Sequence, residues 1–412
     1  MKSKSLLRYL HASAVVPLIF MQTALASVFA VFAARWLGPS DRGVIVIVTT
    51  ISSLFSLGGS LGVATGGRML LARNDSRFTL MNSQYSATRL ASIQVLTTVA
   101  VGWPLLYLGN GWSGLPGAFA FVVYAACLVA IVIMREAVHG VGKHKAAVGA
   151  DIAMLAVQLI GISLLQLLWS VNVVNLLWLM AAAAIFEVWY LRVVLARIAQ
   201  SSETGKLTLH ELVRISAPAL ISNLGQAFVM RGDRLLLGVL SDSKTVGIYG
   251  TAATFAEAIT LSAVGFSQLA FRASAQGAYD RLRIIRLANF LFATTCFGLL
   301  YVAGGPIFLF LVGPHYASGV PVMRALAFGN LCLSVFIVET AVQNGAGHLR
   351  RPAIATTVSA ALLGGLCVLL IPRFGVWGAV SASILSYFTL AVLVSAKIKV
   401  SSRVQTGSPH GQ

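Results

Sequence analysis

Three charges fall close together in a chain that is otherwise poor in charge. Arg231, Asp233 and Arg234 lie in the stretch MRGDRLLLG, near the end of a long apolar run at residues 213–239. A charge at the middle of a membrane helix costs roughly 2.5 to 3.5 kcal/mol on insertion scales, so these charges should face a cavity or a partner rather than lipid. Because a planar guanidinium matches phosphate oxygens, either arginine could bind an anionic group.

Two polar residues extend this feature along the same predicted helix. With about 100° between successive residues, Asn223 and Gln226 share a face with Asp233 and Arg234, and Arg231 lies just beside that face. Two interpretations stay open. In the first, Arg231 or Arg234 meets an anionic ligand and Asp233 holds the guanidinium in place. In the second, Asp233 and Arg234 pair with each other or with a neighbour, and Arg231 reaches the lipid headgroups.

A single carboxylate stands out elsewhere. Glu257 lies deep in the apolar run at residues 246–270, and an acid inside a membrane is a candidate for ion or proton coupling. A hydrogen-bonded packing role is the alternative, and Glu187 and Glu339 are expected near the membrane interface. The seven histidines show neither HExxH spacing nor a paired carboxylate. We therefore expect no catalytic residue, no metal site and no cofactor.

The composition indicates where these residues sit. Of the 412 residues, 58% are hydrophobic and 10% are charged, whereas about a quarter of residues are charged in soluble domains. The chain is therefore an integral membrane protein of the all-α class. Apolar runs of roughly 20 residues, the length that spans a bilayer, predict about twelve transmembrane helices at residues 12–34, 43–66, 90–108, 115–134, 152–170, 173–191, 213–239, 246–270, 287–311, 325–345, 353–371 and 376–396.

The net charge of +18 does not predict a nucleic-acid partner. If both termini are cytoplasmic, most of the 30 lysines and arginines lie on the cytoplasmic side, as the positive-inside rule requires. The basic residues expected on the opposite side are Arg35, Arg42, Lys244, Arg324 and Arg373.

The chain also matches itself. Gly43, Arg68, Gly140 and Gly142 recur as Gly247, Arg272, Gly345 and Gly347, at offsets of 204 or 205 residues. Six helices per copy give both copies the same orientation, so the pattern predicts two parallel six-helix repeats around a central cavity. The expected division is an N-terminal bundle at residues 1–197, a cytoplasmic linker at 198–214, a C-terminal bundle at 215–400 and a cytoplasmic tail at 401–412.

The repeat adds one more candidate. Arg35 precedes Leu37 and Gly38 much as Arg234 precedes Leu237 and Gly238. The two halves could therefore present basic groups to one cavity.

Four segments carry a resemblance to a known family. They are RWLGPSDRGVIVIV, DRLLLGVLSDSKTVGIYGTAATFAE, GHLRRPAIATTV and LIPRFGVWGAVSASILSYF. In this order they resemble the polysaccharide flippases of the multidrug/oligosaccharidyl-lipid/polysaccharide exporter superfamily. The resemblance implies a MATE-like fold and an alternating-access carrier, not an enzyme, that moves undecaprenyl-diphosphate-linked repeat units of O-antigen, capsule or exopolysaccharide across the bacterial inner membrane. Implied partners are that lipid-linked oligosaccharide, membrane lipids, a polysaccharide polymerase and the chain-length machinery.

Two other functions remain open at this point. A small-molecule or multidrug exporter of the same superfamily would share the twelve helices. A membrane polymerase or ligase of surface glycans is a third possibility, although the outer loops are short for an enzyme that holds an acceptor. The major facilitator signature GxxxDRxGRR is absent, since the corresponding loop reads GGRMLLARNDSR.

Overall fold

The computed structural model describes residues 16–73, 75–104, 114–198, 207–348 and 350–395. Within these ranges all regular secondary structure is helical. About half of the predicted linker (residues 199–206 of 198–214) and the whole predicted tail (residues 401–412) lie outside the described residues. The described helices are α1 (residues 16–37), α2 (residues 39–59 continued by Val63–Ala72), α3 (Leu80–Thr97, extended by a π turn at Thr98–Gly102), α4 (Leu115–Gly140), α5 (His144–Leu168), α6 (Val173–Ile198), α7 (Leu209–Leu240), α8 (Ser243–Ala256 and Leu261–Ala275, joined by a 3₁₀ turn at Glu257–Thr260), α9 (Tyr279–Val312), α10 (Gly319–Gly345), α11 (Arg350–Phe374) and α12 (Val376–Ser395).

The predicted set of twelve membrane helices is confirmed, but the junction between the first two was placed wrongly. The sequence predicted a loop between residues 34 and 43, whereas the structure turns at a single residue, Gly38, with φ 75°. Glycine adopts this left-handed conformation without a side-chain penalty. Pro39 then opens α2, because its fixed φ suits the first turn of a helix and its missing N–H costs nothing there.

The helices differ in how well they suit lipid. Eight helical segments in the described ranges are long and apolar enough to span a membrane, and α3, α7 and α8 are not among them. Charges interrupt the apolar character of α7, and the 3₁₀ turn Glu257–Thr260 divides α8. The helices α7 and α8, which carry the predicted charges, are therefore less suited to direct contact with lipid than the eight apolar segments are.

Equivalent glycines confirm the predicted duplication. Gly140 at the end of α4 packs against the carbonyl oxygen of Arg68 in α2, and Gly345 at the end of α10 packs against that of Phe271 in α8. Each is followed by a glycine with a left-handed backbone, Gly142 (φ 78°) and Gly347 (φ 82°). The helices α4 and α10 are also equivalent in their packing. The helix α4 packs against α2, α3 and α6 of the first half, and α10 packs against α8, α9 and α12 of the second.

The two halves meet most extensively where α2 and α8 begin. A β-carbon added to Gly43 would overlap the carbonyl oxygen of Ser243, and one added to Gly247 would overlap that of Pro39. Pro39 and Ser243 are themselves equivalent in the repeat, so this contact is reciprocal. We call it the glycine seal. The turns at Gly38 and Ser241 define the upper end of the molecule, and the turns at Gly142 and Gly347 define the lower end. The glycine seal holds the two halves together at the upper end.

Candidate functional site

The charges of α7 lie near the upper end of that helix, beneath the glycine seal. A reciprocal capping box between Thr208 and Glu211 starts α7 at the lower end, and the helix runs to Leu240 at the upper end. Asp233 and Arg234 are buried, with 2% and 5% of their surfaces exposed. Both therefore need partners inside the protein.

Asp233 receives its hydrogen bonds from two other helices. The Tyr249 hydroxyl in α8 donates to Oδ2 of Asp233 at 2.5 Å, and Ser383 Oγ in α12 donates to the same oxygen at 2.9 Å. The backbone N–H of Arg234 donates to Oδ1 at 2.7 Å. Asp233 thus ties α7 to α8 and α12, and both of its carboxylate oxygens accept hydrogen bonds.

Arg234 pairs with a different acid. Its Nη2 forms an ion pair with Oε1 of Glu257, at the 3₁₀ turn that interrupts α8. The Glu257 side chain is 38% exposed, so it faces open space as well as its partner. Nε of Arg234 is buried and has no hydrogen-bond partner among the described residues. One N–H group of the guanidinium, at Nε, is therefore unused.

The Arg234 guanidinium does not form the predicted ion pair with the Asp233 carboxylate; only the backbone N–H of Arg234 bonds to it. Successive residues of a helix point about 100° apart and do not face each other. The same geometry excludes Asp233 as the group that holds the Arg234 guanidinium. The alternative of a neighbouring partner is correct for Arg234, and the neighbour is Glu257.

Arg231 lies close to the same charges. It is half-buried and near enough to Arg234, Glu257 and Asp233 for their charges to interact. It also approaches the buried Tyr124 of α4, which belongs to the first half of the chain. Arg231 therefore faces the space between the two halves rather than the lipid headgroups.

Sequence reasoning missed a third arginine of this cluster. Arg42 was assigned to an outer loop, but it lies inside α2, 7% exposed, close to Tyr316 and Arg234. Its Nε is also buried without a partner among the described residues. The signal was available: a proline directly after a glycine marks a helix start, which places Arg42 in the first turn of α2 and not in a loop.

The remaining candidates lie elsewhere. Arg35 is exposed and its Nη1 donates to the carbonyl oxygens of Phe310 (3.2 Å) and Leu311 (3.4 Å), at the end of α9. It caps that helix and does not join the cluster.

The polar stripe of α7 is also divided. Nδ2 of Asn223 donates to Thr65 Oγ1 at 2.9 Å and so links α7 to the lower part of α2. At 1.5 Å per residue, Asn223 is roughly 16 Å below Arg234 along the helix. Gln226 is exposed. The structure therefore groups Arg231, Asp233, Arg234 and Glu257, and separates Asn223 from them.

A second group of buried charges lies wholly in the first half. Arg135 of α4 pairs with Asp151 of α5 at 3.0 Å, and Gln22 of α1 donates to Asp151 at 2.9 Å. Glu187 of α6 lies near this pair and is 0% exposed. Glu187 is therefore buried inside the first half beside this ion pair, and its location near the membrane interface stays a prediction. Glu339 pairs with the half-exposed Arg286.

Comparison with known proteins defines the fold. No family model matches the chain, and no curated protein matches it. Among solved structures, the lipid II flippase MurJ in an inward closed conformation matches with a TM-score of 0.74 at 12% identity, over 92% of this chain and 86% of that one. An inward-facing multidrug resistance MATE transporter of the MOP superfamily matches with a TM-score of 0.68 at 14% identity, over 90% and 92%.

The chain has the fold of these transporters. This confirms the predicted fold class of two six-helix halves. An outward-facing MATE transporter of that superfamily gives a TM-score of 0.61 at 14% identity, over 92% of this chain and 93% of that chain, lower than the inward-facing form.

Proposed function

We propose that this protein is a transporter that flips an undecaprenyl-diphosphate-linked oligosaccharide across the bacterial inner membrane for surface polysaccharide synthesis. Alternating access of the two halves would expose the cargo first at the lower end and then at the upper end. The proposal takes the lower end as cytoplasmic, with both termini on that side. It does not require an enzymatic step.

The observation that carries this proposal is the excess of buried arginine between the two halves. Arg42, Arg231 and Arg234 lie around only two carboxylates, and Asp233 is already occupied by Tyr249 and Ser383. Uncompensated positive charge in a low-dielectric site favours an anionic ligand. A planar guanidinium suits phosphate oxygens better than an ammonium does.

Glu257 gives a simple means of coupling. In the structure its carboxylate occupies Arg234, so an anionic cargo must compete with it. Protonation of Glu257 would remove that competitor and release Arg234 for the cargo. Binding of a proton and of an anion would then favour each other, as linkage requires.

Export of small molecules is the second candidate, favoured by one observation. The half-exposed Glu257 could meet a cationic compound directly, and the matched MATE structures are multidrug transporters. Three arginines around that single accessible acid argue against a cation, because the cation would be repelled by the rest of the cluster.

A deletion strain separates these functions. We expect lipid-linked repeat units to accumulate on the cytoplasmic leaflet while their synthesis continues, and surface glycan to be lost. Drug sensitivity with normal surface glycan would favour the small-molecule exporter. Fully flipped but unpolymerised repeat units would favour a glycan polymerase or ligase.

Partners follow from the same proposal. Membrane lipids surround the helices, and a polysaccharide polymerase and the chain-length machinery would receive the flipped units at the upper end. The division into bundles at residues 1–197 and 215–400 gives each half one side of the cavity.

A further inference from the structure

An apolar cavity lies between the two halves, below the arginine cluster. It has a volume of 680 Å³ and is enclosed by α2, α3 and α7. We call it the midplane groove, because Leu224 and Phe228, which line it, lie halfway along α7. Leu54 and Phe55 of α2 and Ile93 of α3 form its opposite walls.

The polar residues of the groove are already hydrogen-bonded. The side-chain amide of Gln94 donates to Thr98 Oγ1 at 3.0 Å, and the hydroxyl of Thr97 donates to the carbonyl oxygen of Gln94 at 3.0 Å. One N–H of the Gln94 amide and the Thr97 hydroxyl are thus used within α3. The groove therefore suits a hydrocarbon chain.

The groove opens toward the bilayer. Ile93 and Val101 of α3 line it and are 51% and 49% exposed. Their neighbours Leu96 and Val99, which do not line it, are 70% and 56% exposed. Since large exposed apolar residues on a membrane helix face lipid, a chain can enter the groove sideways without crossing water.

The groove is also continuous with the arginines. Arg231 follows Phe228 by three residues, which is about 4.5 Å of rise along α7. An amphiphile could therefore place its apolar chain in the groove and its anionic head against Arg231 and Arg234.

We propose that the midplane groove binds the polyprenyl chain of the cargo lipid while its diphosphate contacts the arginine cluster. This inference rests on the proposed function and assigns the apolar part of the same cargo. The cargo chain then stays in contact with protein at the bilayer centre while the sugars cross between the halves.

Site-specific photo-crosslinking tests this assignment. Benzoylphenylalanine is placed at Ile93 or Val101 in the full-length protein, in membranes of a strain that makes the surface glycan, and at Leu96 or Val99 as matched controls on the same helix. Crosslinked lipids are identified by mass spectrometry. We expect polyprenyl-diphosphate adducts to be enriched several-fold at Ile93 and Val101 over the two controls. Phospholipid adducts alone at all four positions would overturn the proposal.

A filling variant provides the second measurement. A β-carbon at Gly58 would meet only Leu224, at 3.5 Å, so Gly58→Phe can fill the groove without moving the backbone. We expect normal membrane abundance, loss of the polyprenyl adduct at Ile93 and reduced surface glycan, whereas Val99→Phe should change none of these. An unchanged adduct in Gly58→Phe would contradict the proposal.

The two proposals fail in different ways. If the deletion strain accumulates unflipped repeat units but only phospholipid is captured in the groove, the protein is a flippase and the groove assignment is wrong. If no repeat units accumulate in the deletion strain, the proposed function itself is wrong.

Discussion

Arg234 and Glu257 form an ion pair that joins α7 to the 3₁₀ turn of α8. The pair lies between an occupied carboxylate, Asp233, and two further arginines, Arg42 and Arg231. A ligand could replace this contact, because the Glu257 side chain is 38% exposed.

The first prediction separates cargo binding from simple pairing at Arg234. Arg234→Ala should abolish surface glycan while membrane abundance stays near normal. Loss of the arginine strands Glu257, but the cost falls below the roughly 3–5 kcal/mol of a fully buried pair because that side chain is partly exposed. Arg234→Lys should restore part of the display, since it keeps the charge and loses the planar fork. Glycan display and immunoblots of membranes are the measurements.

The double variant decides between the two roles. If Arg234 binds cargo, Arg234→Ala combined with Glu257→Gln should remain inactive. Recovery of display in the double variant would mean that the arginine serves only to neutralise Glu257.

The second prediction contrasts two arginines near the upper end. Arg42→Ala should lower surface glycan several-fold, because Arg42 is buried beside Arg234. Arg35→Ala should have little effect, because Arg35 is exposed and contacts only the end of α9. If the two variants reduced surface glycan equally at equal membrane abundance, Arg42 would not be part of the binding site.

The third prediction concerns Asp233, whose contacts indicate a structural role. Asp233→Ala leaves the Tyr249 hydroxyl and Ser383 with one acceptor between them, at 3.2 Å from each other, and the hydroxyl that stays unsatisfied costs roughly 1–3 kcal/mol. We expect lower membrane abundance and a lower melting temperature in detergent. Tyr249→Phe should lower abundance and melting temperature less, because it removes the hydroxyl itself and so leaves no unsatisfied donor at that position. A fully abundant but inactive Asp233→Ala protein would instead indicate a direct role in transport.

The fourth prediction tests the glycine seal. Gly43→Ala should force α2 and α8 apart at the upper end, because the added β-carbon would overlap the carbonyl oxygen of Ser243. Overpacking of this kind costs roughly 1–3 kcal/mol. A cysteine placed near the upper end should then react faster with an impermeant maleimide. Gly265→Ala in the lower part of α8 has no neighbour within 4 Å and serves as the control. Unaltered labelling of Gly43→Ala would show that this contact does not close the molecule.

The fifth prediction fixes the orientation. Reporters fused after Val400 and within residues 200–208 should both be cytoplasmic, since lysines and arginines are concentrated in the loops on that side. A periplasmic signal at either position would contradict the assignment of the lower end to the cytoplasm.

Hydropathy predicted the helices well because span length depends mainly on the apolar run itself. The repeat was equally visible, since Gly140 and Gly345 perform the same close packing in both halves. The junction at Gly38 was missed because a turn of one residue leaves no polar loop in the sequence.

The partners of the charges could not be read from the sequence. Glu257 lies 23 residues from Arg234, and only the packing of α7 on α8 brings them together. Glu187 was placed at the interface because it is close to Arg192 in sequence, whereas the fold directs it toward Asp151 and Arg135. Periodicity gives the face of a helix but not the helix that packs against it.

The reciprocity of the glycine seal also bears on how such a chain could arise. Gly43 contacts Ser243 and Gly247 contacts Pro39, so each half supplies the same two positions to the contact. A contact in which both partners contribute the same surface patch is called isologous, and it is the type of contact found in two-fold symmetric homodimers. Two separate six-helix chains could therefore form this interface before any gene fusion, and after fusion a substitution at either glycine would need a matching change in the opposite half.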